Sequence, residues 1–109
     1  MISISMLVRY VGEATSPDEF SDRCRDLRDS IDAHAQVLEL PIDEITVAPV
    51  WYSKGPFGRI DVTFATTSAA EAEAAFDALM AAVGFENPES ATPETDGEFE
   101  SGPRVLQAV

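Results

Sequence analysis

The stretch GRIDVTFATTSAAEAEAAFDALMAAVG, residues 58–84, carries two periods in succession. Ile60, Val62 and Phe64 alternate with Arg59, Asp61 and Thr63, the period of two expected of a strand with one buried face. Ser68-Ala69-Ala70-Glu71 then forms a capping box, and Ala72, Phe76, Leu79 and Val83 recur at helical steps. The alanines favour helix, Gly84 stands where a left-handed terminator belongs, and Phe85 is placed to pack back on Met80. The spacing predicts a strand over 59–64 and a helix over about 68–83.

Upstream of that strand, Gly55, Pro56 and Gly58 punctuate a turn over 53–58, preceded by the apolar run 45–52. The two runs read as a hairpin. Pro49 inside the first run argues for an edge strand or for a bulge that changes which side faces the core. Further back, Ser16-Pro17-Asp18-Glu19 is a second capping box with proline at the first helical position. Phe20, Cys24, Leu27, Ile31, Ala35 and Leu38 follow at steps of three and four, so a helix is expected within about 17–39, ended by Pro41. At the start of the chain, Ile2, Ile4, Met6, Val8 and Tyr10 alternate with Ser3, Ser5, Leu7 and Arg9, which reads as another half-buried strand. Residues 86–103 hold six acidic residues and no Lys or Arg, and read as a long mobile loop. The segment 104–109 is apolar enough for a last strand.

The order strand, helix, strand, strand, helix, loop, strand points to one α+β domain spanning 1–109. The expected architecture is a ferredoxin-like βαββαβ sandwich, an antiparallel sheet with two helices on one face. Leu7 and Trp51, in opposite phase to the core set, are expected on the other face, where a second subunit could cover them as a homodimer. In its strand ISISMLVRYV, the helix start SPDEF, His34 late in that helix, and a hairpin followed by an alanine-rich helix, the chain resembles the dimeric α/β-barrel superfamily and its EthD-like members. The resemblance covers most of residues 1–84 and carries no catalytic residue across. The long interval from His34 to Ile45 and the acidic stretch after Phe85 depart from that pattern.

Charge bears on partners rather than on fold. Asp and Glu number 20 against 7 Lys and Arg, a formal net of −13. Phosphate neutralisation requires clusters of Lys and Arg, so direct nucleic-acid binding is disfavoured. The lone cysteine excludes an internal disulfide and a cysteine-based zinc site. No stretch approaches the ~20 apolar residues of a membrane span, and the first residues lack the basic start and cleavage site of a signal peptide, so a cytoplasmic protein is expected.

Few residues offer chemistry. His34, the only histidine, is the one catalytic candidate, as a general base at the edge of a helix stripe; a histidine at the edge of the core is the favoured reading. No metal or cofactor set is present in the sequence, and Cys24 reads as a small buried hydrophobe. Lys54 to Arg59 is a cationic spot whose spacing fits a hairpin turn better than an anion site.

The acidic residues offer a surface instead. Asp18, Asp22, Asp26 and Asp29 follow helical steps, with successive members ~6 Å apart along the axis, near the spacing of neighbouring phosphates. Glu94, Asp96, Glu98 and Glu100 form a second acidic group. The first expectation is a non-enzymatic interaction protein whose two acidic surfaces meet a basic, nucleic-acid-binding partner, as an inhibitor or nucleic-acid mimic. The alternatives are a salt-adapted dimeric α/β-barrel protein that binds or transforms a small apolar molecule in a cavity lined by Tyr10, Phe64 and His34, and a subunit of a larger assembly.

Overall fold

A computed structural model describes residues 1–10, 16–53, 55–84, 99–100 and 102–108. The elements are β1 (Ile2–Tyr10), α1 (Pro17–Val37), β2 (Ile42–Tyr52), β3 (Gly55–Phe64), α2 (Ala69–Val83), β4 (Phe99–Glu100) and β5 (Arg104–Ala108). Every strand pair is antiparallel. The sheet runs β2-β3-β1, and β4 and β5 lie end to end along the remaining edge of β1, making it four strands wide. This α+β arrangement is compatible with a ferredoxin-like topology.

The alternation read from the sequence is the alternation observed. Ile2, Ile4, Met6, Val8 and Tyr10 of β1 and Ile60, Val62 and Phe64 of β3 are buried. They share one core with Phe20, Cys24, Leu27, Ile31 and Ala35 of α1 and Ala72, Phe76, Leu79, Met80 and Val83 of α2. Phe20, Phe64 and Phe76 are its largest fully buried side chains. Each helix starts on the serine expected: the Glu19 N–H donates to Ser16 Oγ and the Glu71 N–H to Ser68 Oγ, both at 3.3 Å. α2 ends at Gly84 with φ of 112°, a conformation that glycine adopts without a Cβ penalty. α1 ends two residues earlier than the stripe predicted, because Glu39 takes φ of 54° and the Leu40 N–H turns back to the Ala35 carbonyl.

Three sequence expectations change in the sheet. Pro49 does lie in an edge strand, but the register runs unbroken from Glu44↔Thr63 to Tyr52↔Gly55, and the irregularity sits between Ile42 and Glu44. A strand edge leaves N–H groups pointing outward, so proline there removes no ladder bond and forces no change of face. Trp51 therefore keeps the phase of Ile45 and Val47 and packs edge-on against Phe20 at 5.4 Å, on the helix side rather than the open face. The stretch expected to be loop through 103 already carries strand at Phe99–Glu100; residues 85–98 lie outside the described part.

From Arg9↔Glu100 to Met6↔Arg104 the pairing advances four positions on the last strands against three on β1, a one-residue register shift that makes a bulge between β4 and β5. The Leu7 N–H donates to the Pro103 carbonyl at 3.2 Å, which holds the bulge against β1. Arg104 then reaches back from β5 to α2, with its guanidinium 4.8 Å from the Phe76 ring centroid and hydrogen-bonded to Asp77.

Candidate functional site

The acidic residues of α1 lie farther from the core than their spacing alone indicated. At 100° per residue, Asp18, Asp22, Asp26 and Asp29 centre roughly 180° from the line of Phe20, Cys24, Leu27 and Ile31. All four are exposed. Two of them are paired within the helix, Asp22 with Arg25 at 2.8 Å and Asp29 with Arg28 at 3.4 Å. These pairs are exposed and screened, so they soften the negative field without abolishing it. Arg28 also turns its Nε toward the Ile45 carbonyl at 3.4 Å, which ties it to the neighbouring edge strand.

One end of the molecule gathers aromatic side chains. The Tyr10 ring lies 5.3 Å from Phe20 and 5.3 Å from Phe99, and Phe20 lies 6.4 Å from Phe99. Such edge and tilted contacts favour a fixed geometry beyond simple burial. They pin Phe99, at the end of the acidic segment, beside Phe20 in the first turn of α1; Asp18 and Asp22 stand near the same end of the helix, on its opposite, outer face. α2 reaches the same end: it starts shortly after Phe64, the partner of Ile2, and passes Phe76 at the level of Arg104 and its partner Met6. Val83 is a further ~10 Å along the axis toward Tyr10. Of the second acidic group, Glu94, Asp96 and Glu98 lie outside the described residues, as does Lys54 of the cationic spot. The backbone of Glu100 pairs with Arg9 in β4.

Tyr10 does not meet the other two residues expected to line a cavity with it. Phe64 pairs with Ile2 at one end of β1, and Tyr10 ends the strand eight residues away, ~26 Å at strand rise. His34 is 14 residues beyond Phe20 on α1, ~21 Å from the helix turn that Tyr10 touches. His34 is half-buried, and its Nδ1 lies 2.7 Å from the Ser30 carbonyl, a bond that makes Nδ1 the protonated nitrogen of the neutral ring. No group of three or more metal-binding side chains occurs among the described residues.

Cys24 is buried, and desolvation raises its thiol to about 11. The thiol therefore stays protonated in the fold while the unfolded chain ionises it from about pH 9. Stability from this group is complete below that pH and falls as pH rises toward 11. The native protein at pH 8 should leave Ellman's reagent unreacted over minutes, with one thiol released on adding denaturant; prompt native release would show that the α1 face opens.

The face of the sheet away from the helices carries a different set. Ser3, Ser5 and Leu7 of β1, Phe57, Arg59, Asp61 and Thr63 of β3, and Val105 and Gln107 of β5 point to it by register. The Ser5 hydroxyl donates to Asp61 Oδ1, and Arg59 Nε lies 3.2 Å from Asp61 Oδ2. Tyr52 and Phe57 meet edge-on at 5.1 Å. Between these strands lies an open basin of about 330 Å³, whose walls include Ser5, Leu7, Tyr52, Arg59, Val105 and Gln107. The odd positions of β1 and β3 were visible as the outward phase, but only the register Ser5↔Asp61 and Leu7↔Arg59 brings them together.

No family model matches the chain, and no curated protein matches it. No helix among the described residues is long and apolar enough to cross a membrane.

Proposed function

We propose that the protein is a non-enzymatic interaction module whose acidic helix face and acidic 86–100 segment together engage a basic surface on a partner protein, one that otherwise holds nucleic-acid phosphates. The reading rests on one observation: Phe99, flanked in sequence by Glu98 and Glu100, packs on Tyr10 and Phe20 at the end where the Asp18–Asp29 stripe begins. The acidic segment joins α2 to Phe99 in sequence, and Phe99 is anchored at that end. Two acidic surfaces at one end can frame a basic cleft, which either alone would touch on one side only. Association would be fast at low salt and weak at high salt, because its driving field is screened within about 10 Å at 0.1 M.

The finer fold assignment, a ferredoxin-like βαββαβ sandwich, belongs to the same proposal. It is supported by β3 lying between β1 and β2, and β1 between β3 and the final lane. That frame holds α1 against the edge strand with its outer face free.

The test is capture from host lysate on the immobilised protein at low salt, followed by elution with duplex DNA. The expected result is one cationic protein, released by DNA and by high salt. The combined substitution of Asp18, Asp22, Asp26 and Asp29 by Asn should lower its recovery at least tenfold while circular dichroism stays unchanged. Equal recovery by the variant, or a captured protein that DNA does not displace, would end the nucleic-acid-mimic reading.

A further inference from the structure

The open face of the sheet supports a separate inference, independent of the acidic surface. We propose that the basin over β1, β3 and β5 binds a small organic carboxylate with an apolar body, of the aryl or branched alkyl kind. The wall chemistry is the first argument. Among the described residues that line the basin Arg59 is the one charged side chain and none is a carboxylate, on a chain that carries 20 Asp and Glu. A cationic ligand would face that guanidinium, whose counter-charge, Asp61, is not among the lining residues.

The orientation of Arg59 is the second. Arg59 Nε forms an ion pair with Asp61 Oδ2 at 3.2 Å, and Asp61 Oδ1 accepts from the Ser5 hydroxyl. The contact engages the inner nitrogen and leaves the two terminal nitrogens, which have no ion-pair partner among the described residues. A planar pair of N–H donors matches a carboxylate bidentately, which a lysine ammonium does not.

Size and polarity supply the third. About 330 Å³ lies near the lower limit of small-molecule sites, room for one or two rings rather than for a nucleotide. Leu7, Pro103 and Val105 present apolar surface beside the Tyr52 ring, with the Gln107 amide at the wall. Val105 is 55% exposed and Tyr52 51%, apolar area that a ligand ring would cover. The net charge of −13 does not exclude an anion here, because charges beyond a Debye length of ~8 Å are largely screened at physiological salt.

The experiment titrates the full ¹⁵N-labelled chain with 2-naphthoate and, in parallel, with the uncharged isostere 2-naphthamide. Saturable shifts confined to the amides of Leu7, Val105 and Gln107 and their neighbours are expected with naphthoate, and much weaker ones with the amide. Arg59→Gln should weaken naphthoate at least tenfold and leave naphthamide unaffected, and Arg59→Lys should restore only part of the loss. Val105→Glu, at an exposed position, should abolish the naphthoate shifts while the remaining spectrum keeps its dispersion. Equal binding of the two probes, naphthoate binding undiminished in Arg59→Gln, or no saturable shift at millimolar probe would each overturn the proposal. Sedimentation as a dimer that excludes the probe would overturn it in favour of a second copy on this face.

Discussion

Replacing Gly102 with Ala is expected to detach the last strand from β1 and to lower the unfolding free energy by about 3 kcal/mol. A Cβ at this position would stand 2.2 Å from the Leu7 carbonyl oxygen and 3.3 Å from its carbon. Both neighbours are backbone, so no side chain can rotate away. The same residue, Leu7, donates its N–H to Pro103, and the added methyl would force apart the strands that this bond joins. Losing the bulge would also free β5, with half-buried Leu106 and the Arg104 side chain over Phe76. Urea denaturation with amide exchange checks this: β1 amides facing β5 should lose protection while those facing β3 keep it. An unchanged midpoint with full protection would show that the close approach is not maintained in solution.

Phe20→Ala is expected to cost about 3–5 kcal/mol, the range for a fully buried phenylalanine. Against a typical total of roughly 5–15 kcal/mol, that leaves the fold marginal. The ring is the hub of the aromatic end, touching Tyr10, Phe99 and Trp51. Trp51 is the only tryptophan and is half exposed, so its emission should move to longer wavelength before global unfolding. Phe99 loses a partner in the same variant, and the acidic segment loses part of its anchor beside α1. Partner capture should therefore fall although no charge has changed. Phe20→Leu keeps the aliphatic packing and should cost about 1.5 kcal/mol or less. A loss below about 1 kcal/mol for the alanine variant would mean that neighbouring rings close over the gap.

Much of the fold was legible because local rules and tertiary packing agree. The strand at 2–10, the two capped helices and the hairpin all obey the period that their buried face demands, and Ser16, Ser68 and Gly84 sit where caps require them. What escaped were features set by pairing. Phe99–Glu100 lies in an acidic, proline-rich stretch with no strand period, and it pairs only because Tyr10 and Phe20 offer an aromatic seat. Trp51 was assigned to the wrong face because proline signals either an edge or a bulge, and only the register with β3 tells which.

The acidic face of α1 was legible as residues but not as a direction. The steps of four, four and three put the aspartates in one row, yet their position roughly opposite the core follows only once the buried line is known. The basin on the open face was not legible at all. Ser5, Arg59 and Asp61 are ordinary outward positions on two strands 56 residues apart in sequence (Ser5 to Asp61), and their proximity is a matter of register.

The sequence by itself determined that the chain is strongly acidic, that its core is one apolar face of a sheet under two amphipathic helices, and where those helices begin. Periodicity and capping are local, so they survive without coordinates. The tertiary structure decided which way the acidic face of α1 points, which aromatic ring faces the helices, and which outward side chains meet across strands. Those are consequences of strand order and register, and a register shift of one residue would reverse every face without altering the composition at all.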